Sequence, residues 1–242
     1  IEDITIFCKK KGFVYPSSEL YGGLAGLYDY GPYGVELKRN ILANWWTSFV
    51  HERDDVVGLD GTIISSAKIW EASGHLTSFN DPVLTCEKCK TKVRADTFIE
   101  EKTGVSCDGK KIPELNVLVR EHKLVCPSCK GTFKEIHDFN LMFPVQLGAE
   151  KDAGNLAYLR GETAQLIFTD FKLIVENARL QVPFGIAQMG KAFRNEISPR
   201  NFLFRLREFE QMELEYFVHP NKVNDCPYFS EVALQEILVY SA

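Results

Sequence analysis

Apolar residues over positions 35–52 fall at Leu37, Ile41, Trp45 and Phe49, every fourth place, with Leu42, Trp46 and Val50 beside them. That period predicts a helix with an apolar stripe wide enough to bury against two partners. Residues 161–179 predict a second helix. Ile167, Phe168, Phe171, Ile174 and Val175 share a face, Gly161 or Thr163 stands where a cap belongs, and Pro183 follows the end. Shorter helices are expected over 1–12, ending near Gly12, and over 230–240. Positions 56–69 alternate loosely as a strand interrupted at 58–61, and 139–147 read as a short apolar strand. Two longer strands are expected at 184–196 and 202–218, joined by a loop at 197–201 that contains Pro199. Residues 21–34, YGGLAGLYDYGPYG, read as a structured loop. Helices framing long strand pairs predict an α+β fold with an antiparallel sheet flanked by helices.

Composition changes this picture little. A chain of 242 residues, 45% apolar and 25% charged, fits one or two globular domains. Its formal charge of −5 disfavours a polycationic nucleic-acid binder, although local basic patches stay possible. No apolar run approaches the length of a membrane-spanning helix, so no membrane association is expected. The first residues, IEDITIFCKKKGF, lack the layout of a signal peptide and begin with Ile rather than Met.

The cysteines add chemistry. Seven occur, and four form the pairs Cys86-Glu-Lys-Cys89 and Cys126-Pro-Ser-Cys129. An odd count without a signal layout points to a reducing, cytoplasmic compartment. Two CxxC turns can complete a four-thiolate shell for one structural Zn2+, and the neighbouring Lys88, Lys90, Lys123 and Lys130 favour the thiolates. His122 and His137 lie nearby in sequence, but four sulfurs leave no open position for catalysis. Cys8, Cys107 and Cys226 read as plain thiols. The Lys and Cys content of 82–135 differs from its flanks and marks a zinc-ribbon-like insertion, with strands expected at 93–99 and 115–125. The segments 1–81 and 136–242 then form the main body.

The last strand candidate has no clean apolar face. Its odd positions carry Arg205, Arg207, Phe209, Gln211, Glu213 and Glu215, and its even positions Leu206, Glu208, Glu210, Met212 and Leu214. Cations suit phosphates, an aromatic ring can stack on a base, and carboxylates suit an ammonium group. That order fits a nucleotide followed by an amino acid. Arg194 and Glu196, two apart, share a face on the preceding strand. The alternative is an exposed hairpin whose Arg and Glu pair across strands for little gain.

Phe193-Arg194-x-Glu196 followed by Arg205-x-x-x-Phe209 resembles motif 2 of class II aminoacyl-tRNA synthetases. The wider block QMGKAFRNEISPRNFLFRLREFEQMELEYF, with LRGETAQ, YGGLAGLYDYGPYGVELKRNI and WEASGH, is similar to the homodimeric glycyl-tRNA synthetases from about Gly12 to Pro220. The resemblance implies an ATP-dependent ligase that forms glycyl-adenylate and passes glycine to tRNA(Gly), with Mg2+ accompanying ATP. Arg194 and Arg205 would be catalytic, gripping the α-phosphate and the distal phosphates. The ATP site would comprise Arg194, Asn195, Glu196, Phe204, Arg205, Leu206, Arg207, Glu208 and Phe209, with Glu196 on the adenine amine and Phe209 stacked on the base. Glycine would meet Arg94, Glu162, Phe209, Glu210, Gln211, Met212 and Glu213, with Glu162 on its ammonium.

The helix over 35–52 would be motif 1, a homodimer interface, although no proline occurs between Tyr33 and Asp81 as class II motif 1 usually requires. The glycine-rich motif 3 and an anticodon-binding domain have no match here. The chain therefore reads as an incomplete catalytic part, expected to be inactive alone. A non-catalytic accessory or nucleic-acid-binding subunit is the alternative, disfavoured because Arg194, Glu196, Arg205 and Phe209 are all present.

Overall fold

The computed structural model describes residues 1–149, 153–199, 201–225 and 228–239. The chain opens with α1 (Glu2–Lys10), a hairpin of β1 (Val14–Pro16) and β2 (Tyr28–Tyr30), and α2 (Pro32–Trp46). It continues through β3 (Val56–Leu59), β4 (Ile64–Ser66), α3 (Ala67–Ala72) and α4 (His75–Ser78). The cysteine module holds β5 (Asn80–Thr85), β6 (Lys92–Arg94), α5 (Ala95–Thr103), α6 (Ile112–Glu121) and β7 (His137–Asn140). The rest is β8 (Phe143–Gln146), β9 (Leu156–Leu159), α7 (Ala164–Ala178), β10 (Phe184–Phe193), β11 (Glu208–Phe217) and α8 (Phe229–Val232).

The fold is α+β, built on several small sheets rather than one. The central sheet has the order β11-β10-β3, and the others are β4-β9-β8, β6-β5-β7 and β1-β2. β10 and β11 pair antiparallel from Phe184↔Phe217 to Phe193↔Glu208. β3 lies parallel to β10, a departure from the all-antiparallel expectation. On this sheet Ile167, Phe184 and Ile186 form a small core, joined by Val57, Leu59, Phe171 and Phe217.

Helix α2 starts at Pro32, whose fixed φ suits a first turn. It ends in a π-helical turn, Thr47–His51. Its stripe is only partly used: Trp46 packs where any Cβ on Gly58 would stand, while Leu37 and Ile41 remain about half exposed.

The module departs most from the sequence reading. The strands expected at 93–99 and 115–125 are chiefly helices. Ala95, Phe98 and Ile99 are buried together because positions i, i+3 and i+4 share a helical face. Leu115, Leu118 and Val119 repeat that spacing on α6, where the Glu114 carboxylate accepts the Lys111 N–H at 2.9 Å. Short apolar runs of this kind do not distinguish strand from helix.

Other boundaries also move. Ser66 Oγ accepts the Lys68 N–H at 3.3 Å, so the strand expected through Ile69 becomes α3. The strand expected at 139–147 breaks at buried Leu141 and Met142 into β7 and β8, which belong to different sheets. The arginine-bearing strand begins only at Glu208. Of the helix expected at 230–240 only α8 forms, because Leu234, Ile237 and Leu238 stay exposed and offer no packing to stabilise a short helix. Cys226, Tyr240 and Arg200 lie outside the described residues.

Candidate active site and metal centre

Beyond β10 the chain leaves its sheet but is immediately pinned. The Arg194 N–H donates to the Arg207 carbonyl at 2.9 Å, and the Asn195 N–H to the Leu141 carbonyl at 2.8 Å. The Arg194 guanidinium then lies 5.3 Å from the Phe79 ring and 5.2 Å from the Phe209 ring. Its Nε donates to the Gly161 carbonyl at 3.3 Å. Arg194, Glu196, Arg205, Phe209, Phe79 and Asp81 all line one cavity of about 550 Å3, which Phe204, Leu206 and Glu210 border. Burial pushes the Glu196 carboxyl above its ordinary range, against the pull of Arg205, Arg94 and Arg194.

The two flanking arginines are already engaged. Arg94 donates through Nε and Nη2 to Asp96, both at 2.8 Å, and its Nη1 lies 3.2 Å from Asp81 Oδ1. The second Asp81 oxygen is buried without a partner, and burial raises its carboxyl's pKa. Arg207 donates to the Glu196 carbonyl through Nε at 3.0 Å and Nη2 at 2.8 Å, and to the Ala25 carbonyl through Nη1 at 2.8 Å. Its guanidinium braces the loop instead of standing free in the cavity.

Strand alternation sorts the remaining positions. On the even side of β11, Glu208 pairs with Lys191 and Glu210 with Lys38, the latter at 2.6 Å, while Met212 is exposed. On the odd side, the Thr163 hydroxyl donates to Glu213. Thr163 occupies the cap position of α7, but its hydroxyl makes no capping bond. Gln165 Nε2 donates to Glu162, and Gln211 Oε1 is buried unpartnered. Burial, then the charges of Glu213 and Glu162, pushes Glu215 upward. Glu213 and Glu162 thus lie close enough to Glu215, beyond Phe209, for their charges to act on it.

The sequence reading omitted Phe79, Asp81, His75, Thr163 and Glu215 from the site. Alternation could have added Glu215, two places after Glu213. Phe79 and Asp81 carry no local signal and arrive only because β5 folds beside the hairpin. Buried Arg160 braces the same region, donating to the Lys191 carbonyl at 2.6 Å and the Gly61 carbonyl at 2.8 Å.

The metal centre is built from two matching turns. The Cys86 N–H meets the Thr91 carbonyl and the Lys90 N–H returns to the Cys86 carbonyl; Cys126, Gly131 and Lys130 repeat the pattern. Lys90 and Lys130 both take positive φ, 61° and 60°, to close these turns. The four sulfurs lie within 4.8 Å of one another, the one cluster among the described residues able to hold a metal ion. Cys86 and Cys129 are 3.5 Å apart, and Cys89 and Cys126 3.6 Å. Sulfurs bound at about 2.3 Å around a tetrahedral ion stand about 3.8 Å apart, so the set fits. The Cys89 thiol is held down at about 6, first by the Thr91 hydroxyl. Cys107 stays apart, its sulfur facing the Val105 carbonyl.

No family model matches the chain. Over 228 residues, 92% of its length, it is 50% identical to the glycine–tRNA ligase of Geobacillus thermodenitrificans, covering 49% of that protein. It is 49% identical to that of Clostridium kluyveri over 91% of its length, covering 49% of it. It is 46% identical to that of Borrelia hermsii over 95% of its length, covering 47% of it. The chain spans about half the length of the curated relatives it matches.

Solved structures share the fold at low identity. The RNA binding domain of threonyl-tRNA synthetase from Cryptosporidium parvum matches with a TM-score of 0.54 at 15% identity, over 95% of this chain and 40% of that one. A putative threonyl-tRNA synthetase from Aeropyrum pernix gives 0.56 at 16%, over 94% and 38%. Among the described residues no helix is long and apolar enough to cross a membrane. Over the half of its relatives that it spans, the chain is similar to glycine–tRNA ligases at 46–50% identity, and it shares its fold with the two threonyl-tRNA synthetase structures.

Proposed function

We propose that this chain is the ATP- and glycine-handling part of a glycine–tRNA ligase. One observation carries the reading: Arg194 is held between Phe79 and Phe209 in the cavity that Glu196 and Arg205 also line. A cation pre-set by two rings needs little reorganisation to meet a phosphate. Arg194 would grip the α-phosphate of ATP, bound as its Mg2+ complex, and Arg205 the distal phosphates. Glu196 would accept from the adenine amine, and Phe209 would stack on the base.

Glycine's ammonium would sit among Glu162, Glu213 and Glu215, where the first two charges act on the third. Glu210, already paired with Lys38, and exposed Met212 alternate to the opposite face of β11 from Glu213, while Gln211 offers its unpartnered oxygen. Arg94, clamped by Asp81 and Asp96, would face the carboxylate end. A glycine carboxylate oxygen attacks the α-phosphorus, the bond to the bridging oxygen breaks, and pyrophosphate leaves with its electron pair. A ribose hydroxyl at the 3′ end of tRNA(Gly) then attacks the adenylate's carbonyl carbon and loses its proton, and the acyl–phosphate bond breaks to release AMP. Positioning and charge stabilisation carry both steps.

The cysteine module, 82–135, would be an insertion that holds Zn2+ structurally between 1–81 and 136–242. The half-exposed Leu37 and Ile41 of α2 would meet a second copy in a homodimer, and the enzyme would work in the cytoplasm. The test is ATP–pyrophosphate exchange by the full-length protein, run with each of twenty amino acids. Strict dependence on glycine is expected. Exchange that ignores glycine would overturn the glycine assignment, and none at all would favour the non-catalytic accessory reading instead.

A further inference from the structure

The WEASGH segment has no part in the chemistry above, yet its last residue reaches a carboxylate that the chemistry uses. His75 opens α4 directly after Gly74, whose φ of +79° turns the chain out of α3. Its imidazole packs edge-on against Trp70, with centroids 5.2 Å apart, and against Phe79 at 5.1 Å. Its carbonyl accepts from Asn140 Nδ2 at 2.9 Å. The ring is thus fixed by packing and its backbone by a hydrogen bond. Nδ1 lies 2.9 Å from Ser73 Oγ, and Nε2 lies 3.4 Å from Glu162 Oε1.

The partners dictate where the proton sits. The 3.4 Å approach of Nε2 to Glu162 is a close polar contact and not a hydrogen bond; because a carboxylate only accepts, a hydrogen on Nε2 is what makes that contact attractive. In a neutral ring Nδ1 then accepts, and the Ser73 hydroxyl, which also lies 3.4 Å from the Trp70 carbonyl, has Nδ1 as its nearer acceptor at 2.9 Å. Gln165 Nε2 holds the same Glu162 oxygen from α7. Glu162 is therefore oriented from two elements, by a relay through Ser73 and His75 and by Gln165.

We propose that His75 is a positioning residue for Glu162, fixing the carboxylate that would take glycine's ammonium. This rests on the glycine reading of Glu162 and goes beyond it. Glycine offers no side chain to hold, so its binding depends on where a few charged oxygens stand. A carboxylate free to swing would lose that grip without disturbing the nucleotide.

The test is pyrophosphate exchange by the full-length protein carrying His75→Ala, His75→Gln, Ser73→Ala or Glu162→Gln. His75→Ala is expected to raise the glycine KM about tenfold, the scale of losing one polar contact that steadies a charged group, while the ATP KM moves less than about twofold. His75→Gln, which returns a donor near the position of Nε2, is expected to recover most of the loss. Equal rises in both KM values, or an unchanged glycine KM in a folded variant, would overturn the proposal. Should His75→Ala fail to fold, His75→Gln and Ser73→Ala decide. Recovery in the first and a smaller glycine-only rise in the second support the relay, and no difference from wild type in Ser73→Ala counts against it. Nitrogen-15 spectra of the imidazole give a readout apart from activity: a protonated Nε2 is expected, and a neutral ring protonated only at Nδ1 would overturn the assignment. Glu162→Gln separates the two levels. An unchanged glycine KM there sinks the glycine reading itself, whereas a large rise there with silent His75 variants sinks only the positioning role.

Discussion

In the cysteine module, Leu84, Val93, Ala95, Phe98, Ile99, Cys107, Leu115 and Ile136 bury against one another, and the paired CxxC turns close one side. Around the β10–β11 hairpin only Ile167, Phe184 and Ile186 reach comparable burial in a shared cluster. The rest of the hairpin's neighbourhood is arginine, glutamate and glutamine, with buried oxygens on Asp81, Gln165 and Gln211 that lack partners. An unmade buried hydrogen bond costs about 1–3 kcal/mol. The module leaves Thr85 Oγ1 unpartnered too, but its interior is otherwise apolar, whereas Asp81 beside the hairpin borders a cavity where a ligand could complete its oxygen. A region that must receive a charged substrate cannot also close over an apolar core.

The largest effect that would sharpen this contrast is removal of one sulfur. Cys126→Ser leaves three thiolates, and structural zinc sites of this kind are worth about 10–16 kcal/mol, as much as the whole stability of an ordinary domain. The variant is expected to lose its metal and the hydrogen-exchange protection of α5 and α6, while amides of β10 and β11 stay protected. Simultaneous loss in the hairpin would break the comparison, because it would make the module part of one cooperative unit with the site. Less than about half an equivalent of zinc per chain in gently purified wild-type protein would count against the metal reading itself.

Next in size is a contrast between two arginines. Arg194 is held by rings, and Arg207 by carbonyl oxygens of Ala25 and Glu196. Arg194→Ala is expected to cut pyrophosphate exchange by about 10²–10³-fold or more with little change in Tm, the scale of losing a donor aimed at developing charge. Arg207→Ala should do the reverse, lowering stability by about 1 kcal/mol as the partly buried Glu196 carbonyl and the exposed Ala25 carbonyl lose their donor. Normal exchange in the Arg194 variant would refute its assigned role. Equal activity losses with equal Tm losses would erase the distinction between a cation kept for a ligand and one used as a brace.

That distinction was invisible in the sequence, where Arg194, Arg205 and Arg207 look alike. The hairpin itself was legible because two-residue alternation and the cluster of Arg, Phe and Glu are local signals, and the cysteine pairs were legible because CxxC is a single turn. The helices α2 and α7 followed from their apolar period. What escaped depends on distance in the chain. The aromatic plate under Arg194 includes Phe79, more than a hundred residues away, and Asp81 joins the cavity through the pairing of β5. The helices of the module escaped for a different reason: Val93–Ile99 and Leu115–Val125 are too short and too apolar for either period to win, and burial on one shared face decided for helix.

The smallest expected effect concerns what anchors the hairpin at its far end. Asp55 accepts Arg53 Nε and Nη2 at 2.9 and 2.8 Å and the hydroxyls of Tyr216 and Tyr228 at 2.7 and 3.2 Å. The Arg53 hydrogen bonds hold its carboxyl down to about 2, from the ordinary 3.8, while burial first, and then the hydrogen bond to Asp55, push Tyr216 up to about 12. A carboxylate depressed in the folded state stabilises the fold fully above its unfolded pKa, and that contribution fades as pH falls through the folded value. Asp55→Asn is therefore expected to be less stable than wild type above about pH 4, with the difference closing toward about pH 2. Urea unfolding followed across that range reads it directly. The thiolates of the module take up protons at higher pH than this and would release their metal first. Acid should thus loosen the closed module before it loosens the polar hairpin, reversing the order expected from apolar burial alone. A pH-independent difference between Asp55→Asn and wild type would show that packing around Tyr216, and not the charge, anchors β11.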